Sequence, residues 1–150
     1  MSTRVYIAGP MSHIKNFNFP YFDTVAAQLR AHGYDVVSPA ELDDAAFRER
    51  VMGDTVTGFE SDLLGAWGDC LARDIKLIAD GGIEGIVLLQ NWEKSRGAKL
   101  EAFVGALCNK RFALYEPRML GLVLPVSSDW VLNMIRRQML YTMPTADLTS

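Results

Sequence analysis

Apolar residues along this chain fall into two alternating patterns: short unbroken runs, and stripes that return every three or four positions. Val5, Tyr6, Ile7 and Ala8 form a run too short for a helix, stopped by Gly9-Pro10, and predict a buried strand. Pro20 suits the first turn of a helix whose stripe is Phe22, Val25, Ala26 and Leu29 and whose end is Gly33. YDVVSP predicts a second strand, closed by Pro39. Residues 41–66 are less regular: Gly53, Gly58 and Gly65 break a mixed acidic and apolar stretch with room for a short helix from Asp43 to Met52. That excursion reads as a lid or insertion.

Regular spacing resumes with Trp67, Leu71, Ile75 and Ile78, a helix ended by Gly81-Gly82. IEGIVLLQ is a third strand, and Ser95 is a natural N-cap for a helix running to about Asn109. RFALYEP and LGLVLP predict further strands, and a last helix covers Ser128 to about Tyr141 before a polar tail. Strands that are apolar throughout need cover on both faces, so their alternation with helices predicts an α/β sandwich around a largely parallel sheet. The whole chain, 1–150, reads as a single domain.

Composition narrows the chemistry. With 150 residues, nearly half of them apolar, the chain can bury one substantial core. A net charge of −3 and a pI near 5.3 argue against nucleic-acid binding, which needs clustered cations, yet leave room for a small phosphorylated ligand in a local anion pocket. Cys70 and Cys108 form no C-x-x-C pair, so neither zinc nor a disulfide framework is expected, and a reducing cytoplasm is the expected compartment. The N-terminal apolar run is too short for a signal peptide or membrane span.

In such sheets ligands bind beyond the carboxyl ends of the strands. The first loop, AGPMSHIKNFNFP, joins a strand to a helix and is a candidate substrate-binding segment through Gly9, Pro10, Met11, Ser12, His13 and Asn18, all of which except Pro10 can offer a backbone N–H to an anion. His13 has only His32 as a histidine companion, so no metal site is predicted, and no cofactor is implied.

Two carboxylates stand apart from the rest. Asp69 has Arg73 four residues on and Asp80 has Lys76 four residues back, the spacing of exposed helical ion pairs. Asp74 has Cys70, Leu71, Leu77 and Ile78 at the same offsets, with no cation on its face. Glu101 has Gly97, Ala98, Val104 and Gly105, while Lys99 lies about 160 degrees around the helix. A carboxylate on a packed face is costly to bury ionised, and such acids are enriched at functional sites. Gly97 and Gly105 each cost about 1 kcal/mol inside a helix relative to alanine. That cost is explained either by a ligand approaching the backbone or by close packing of helix on sheet.

YIAGPM, FNFPYF, SPAEL, RDI and WEKSRGAKLE together resemble the nucleoside 2-deoxyribosyltransferase superfamily, and within it a bacterial and phage branch near the 2'-deoxynucleoside 5'-phosphate N-hydrolases. The resemblance covers roughly residues 4 to 115 and fades over 50–66 and the C-terminal third. It implies a Rossmann-like or flavodoxin-like three-layer sandwich with about five strands, in a homodimer or dimer of dimers whose sites lie near the subunit interface. It implies Glu101 as the nucleophile at the anomeric carbon, Asp74 as the group assisting the departing base, and Tyr6 as the residue orienting the nucleophile.

Six residues before the nucleophile, transferases of this superfamily carry an aspartate, whereas the phosphate-dependent hydrolases carry a serine that contacts the 5'-phosphate. Here the residue is Ser95, beside Lys94, Arg96 and Gly97. The physical logic agrees, because a carboxylate would repel a phosphate while a serine at a helix N-terminus adjoins free N–H donors and the positive end of the dipole. The resemblance also implies a phosphate-contacting serine from the partner subunit, for which Ser127 or Ser128 is the candidate. The expected activity is hydrolysis of the N-glycosidic bond of a nucleoside or deoxynucleoside 5'-monophosphate. The alternatives are deoxyribosyl transfer between bases and a non-catalytic nucleotide sensor or inhibitor.

Overall fold

The computed structural model describes residues 2–60 and 67–142, the last three by backbone alone. The polar tail and residues 61–66 of the expected lid lie outside the described residues.

Side-chain parity along the first strand, β1 (Arg4–Ala8), divides the molecule in two. Val5 and Ile7 enter one core with Phe22, Val25, Ala26 and Leu29 of α1 (Phe19–Ala31) and Val51 of α2 (Ala45–Val51). Tyr6 and Ala8 enter the other. That second core holds Ile78 of α3 (Trp67–Asp80), Ala98 and Ala102 of α4 (Arg96–Leu107), and Val131 and Ile135 of α5 (Ser128–Thr142). Helices therefore cover both faces of one sheet, giving three layers.

The remaining strands are β2 (Asp35–Val37), β3 (Gly85–Leu88), β4 (Arg111–Tyr115) and β5 (Val123–Val126). They lie in the order β2-β1-β3-β4-β5, with β1 through β4 parallel and β5 antiparallel to β4. This is the flavodoxin-like order with its last strand reversed. The LGLVLP segment contributes only its later part to the strand. Leu120 and Gly121 instead take left-handed conformations at φ 50° and 100°, which turn the chain back on itself. Pro125 is tolerated because β5 is an edge.

The chain leaves β1 toward α1 on one face and β3 toward α4 on the other. Those two strands are neighbours, paired from Val5 with Gly85 to Ala8 with Leu88. Their outgoing loops diverge and leave a crevice at the carboxyl edge, where doubly wound sheets bind ligands. Among the described residues no helix is long and apolar enough to cross a membrane, and Cys70 and Cys108 are free thiols.

Candidate active site

The crevice is a cleft of about 770 Å³. One wall is the β1–α1 loop, whose conformation is costly: Asn16, Phe17 and Asn18 are consecutive left-handed residues at φ 53°, 50° and 62°. Such residues cost on the order of 1 kcal/mol or more each, least for asparagine. Buried Asn16 holds the turn, its side-chain amide donating to Val51 O at 2.7 Å and Gly53 O at 2.8 Å, and its backbone N–H to Val56 O at 3.1 Å. His13 N–H donates to Gly58 O at 2.9 Å, and the His13 ring stacks on Phe59 at 4.5 Å between centroids. The described part of the 41–66 excursion is thereby tied to the first loop and forms the second wall.

At the floor stand three buried polar side chains. Tyr6 is fully buried, and its hydroxyl donates to Glu101 Oε2. Glu101 shares the sheet-facing stripe of α4 with Ala98, Ala102 and Gly105, a carboxylate in a position that packing alone would give to an apolar side chain. Burial pushes its carboxyl up to about 8, against the opposing pull of the Tyr6 hydroxyl. Asp74 sits one turn before Ile78 on the buried stripe of α3, and its carboxyl is also raised by burial. Tyr6 is pushed well above the ordinary phenol range by burial first and then by the charges of Glu101 and Asp74.

Asp74 does have a cation, contrary to the helical spacing. Arg73 Nε donates to Asp74 Oδ1 at 3.0 Å, and Arg73 Nη1 to Asp43 Oδ1 at 2.9 Å. Neighbouring residues on a helix do not face each other. The long Arg73 side chain nevertheless runs alongside Asp74 on its way to Asp43, 30 residues earlier. The expected Asp69–Arg73 and Asp80–Lys76 pairs do not form among the described residues.

The rim beside Glu101 is the N-terminus of α4. Ser95 caps it, Oγ accepting from Ala98 N–H at 3.2 Å, and so contributes about 1 kcal/mol to the helix. Its hydroxyl proton is left to donate. The N–H groups of Arg96 and Gly97 have no partner among the described residues. The Arg96 guanidinium lies 5.0 Å over the Trp67 ring, linking the starts of α4 and α3. The two helical glycines have different reasons. A Cβ at Gly105 would overlap Ile86 Cδ1, so this glycine seats α4 closely on the sheet, whereas a Cβ at Gly97 would meet nothing within 4 Å.

Gly9, Pro10, Met11, Ser12 and His13 line the cleft, as do Asp74, Ser95, Arg96, Gly97 and Glu101, while Tyr6 lies beneath it. Two expected site residues do not line it. Asn18 Nδ2 instead braces the loop by donating to Pro10 O at 3.0 Å, and Ser128 opens α5 away from the cleft lining. Sequence reasoning missed Asn16, Arg73, Phe59 and Trp67. For Asn16 a signal existed, since the segment Asn16-Phe17-Asn18 alternates the residue type that best tolerates left-handed backbone.

A family model described as a domain of unknown function, DUF4406, matches residues 3–112. The chain belongs to this family. The matched span runs from β1 into β4 and contains every cleft-lining residue named above. None of the curated proteins compared with the chain matches it.

Proposed function

We propose that this DUF4406 family member cleaves the N-glycosidic bond of a nucleoside 5'-monophosphate, a deoxynucleotide foremost, to free base and sugar 5-phosphate. One observation carries the reading: a single helix brings to one cleft an anion-ready N-terminus capped by Ser95 and, six residues on, the buried Glu101 carboxyl bonded to Tyr6. Six residues of helix span about 9 Å, and helical side chains lean back toward the N-terminus, which brings the two groups nearer. This suits a phosphate and an anomeric carbon separated by one pentose.

The Ser95 hydroxyl, the N–H groups of Arg96 and Gly97, and the positive end of α4 bind the phosphate. Glu101 attacks the anomeric carbon as the C–N bond breaks, stabilising and then capturing an oxocarbenium-like centre. Asp74 meets the departing base. Water then cleaves the glycosyl ester. Transfer to a second base is the alternative fate of the same ester, and Ser95 in place of a carboxylate favours the phosphorylated substrate over a nucleoside. A binding protein without turnover gains nothing from a buried carboxyl whose ionisation burial opposes, which weighs against a sensor.

Exposed Leu100, Phe103 and Leu107 form an apolar stripe on α4 beside the site, which supports a homodimer in which Ser127 or Ser128 of a second copy completes the phosphate site. The free thiols suit a cytoplasmic protein. The test is chromatographic detection of free base after incubation with a panel of ribo- and deoxynucleoside monophosphates, with Glu101→Ala as control. Release that persists in the variant, or no release from any substrate, sinks the mechanism.

A further inference from the structure

Glu101 has to be ionised to attack, and Asp74 has to hold a proton to assist a leaving base, but the contacts at the floor of the cleft favour the opposite distribution. Arg73 places a guanidinium N–H 3.0 Å from Asp74 Oδ1 and none on Glu101, so a single negative charge settles on Asp74. Glu101, buried with only the Tyr6 hydroxyl as its partner, keeps its proton. The groups facing this pair are Arg73 and Cys70 on α3, Tyr6 on β1, and Asp43 ahead of α2. Among these described residues Arg73 is the one cation.

Tyr6 stands between the two carboxyls. It is fully buried, hydrogen-bonded to Glu101 and interacting with Asp74, and no water need enter for a proton to cross it. On the functional reading above, we infer that Tyr6 relays the proton of Glu101 to Asp74 as substrate reacts, so that one shared proton both frees the nucleophile and supplies the acid. For this the Tyr6 hydroxyl turns from Glu101 toward Asp74; its oxygen then accepts the Glu101 proton as its own proton passes to Asp74, and Tyr6 ends as the neutral phenol it began as.

The balance closes. The C–N bond breaks, its electron pair leaves with the base nitrogen, the base takes the proton from Asp74, and the Glu101 carboxylate forms the new C–O bond. In the second half, water gives its hydroxyl to the anomeric carbon and its proton to the pair, and Glu101 departs from the sugar. The pair ends as it began, with one proton and one charge.

The pH dependence of kcat/KM for the wild-type protein tests this, since it reports the free protein's ionisations. The relay needs the shared proton, so activity falls as the pair loses it near the value of about 8 to which Glu101 is held. If Glu101 instead discharges its proton to solvent before reacting, activity rises through the same pH, and that result overturns the relay while leaving the functional reading intact. No base release at any pH overturns both. A second measurement uses Tyr6→Phe, with folding checked by circular dichroism. The relay requires kcat to fall by about 100-fold or more, with affinity for a non-cleavable 2'-fluoro nucleoside monophosphate within about twofold of wild type. An unchanged kcat overturns it.

Discussion

Gly105 and Ile86 approach so closely that a β-carbon on the glycine would overlap Ile86 Cδ1. This contact sets how near α4 lies to the sheet, and one turn earlier the same face of the helix carries Glu101 to the Tyr6 hydroxyl. Gly105→Ala is expected to destabilise the protein by about 1–3 kcal/mol through overpacking, despite the better helix propensity of alanine. Ile86→Val removes the overlapping atom, so the double variant is expected to recover much of the loss in chemical denaturation. Additive losses would show that the contact is not the cause.

Glu101 also shapes stability against pH. Its folded carboxyl is raised to about 8 from an ordinary 4.5. Below about 4.5 it is neutral in both states and costs nothing. Between about 4.5 and 8 the unfolded chain gives up a proton that the folded protein keeps, so stability falls as pH rises and levels off above 8. At about 1.4 kcal/mol per unit the total is a few kcal/mol. Glu101→Gln abolishes this slope, and the difference in unfolding free energy between the two proteins is expected to grow from near zero at acid pH to its plateau above pH 8.

Ser95 joins two tasks that one substitution separates. Aspartate caps helices as well as serine does. Ser95→Asp is therefore expected to keep the melting temperature within a few degrees while placing a negative charge where phosphate would bind. Base release from monophosphates is expected to drop by about tenfold or more, with unphosphorylated nucleosides much less affected; the corresponding electrostatic penalty is about 1.4 kcal/mol. Equal loss on both substrates would argue against a phosphate contact at Ser95.

Arg73 couples two elements through one side chain, bonded to Asp74 within α3 and to Asp43 ahead of α2. Because the Arg73 side chain is 31 % exposed, the Arg73–Asp43 coupling in a double-mutant cycle of alanine variants is expected to be modest, about 0.5–1 kcal/mol. A coupling of zero would mean that solvent screens the pair completely.

The order and kind of elements were readable along the chain because period-two and period-3.6 patterns are local. The unbroken run Val5 to Ala8 announced a strand with cover on both faces, and Ser95 announced a helix start, where its hydroxyl caps the first turn. Even the oddity of Glu101 was visible, since every residue at helical offset from it is small or apolar. Offsets within one helix, however, describe only that helix.

The partners of the site came from elsewhere in the chain. Tyr6 and Glu101 are 95 residues apart and meet because strand parity sends Tyr6 to the face that α4 covers, while the missing side chain at Gly105 lets α4 come close enough. Asp74 counted as unpaired along its helix, yet its charge is balanced by an arginine that also reaches Asp43. The left-handed turn at Asn16 depends on carbonyls of Val51 and Gly53 that only folding brings beneath it. Local patterning determined which groups are unusual, and tertiary packing decided which of them meet, because hydrogen bonds and burial act through space and not along the chain.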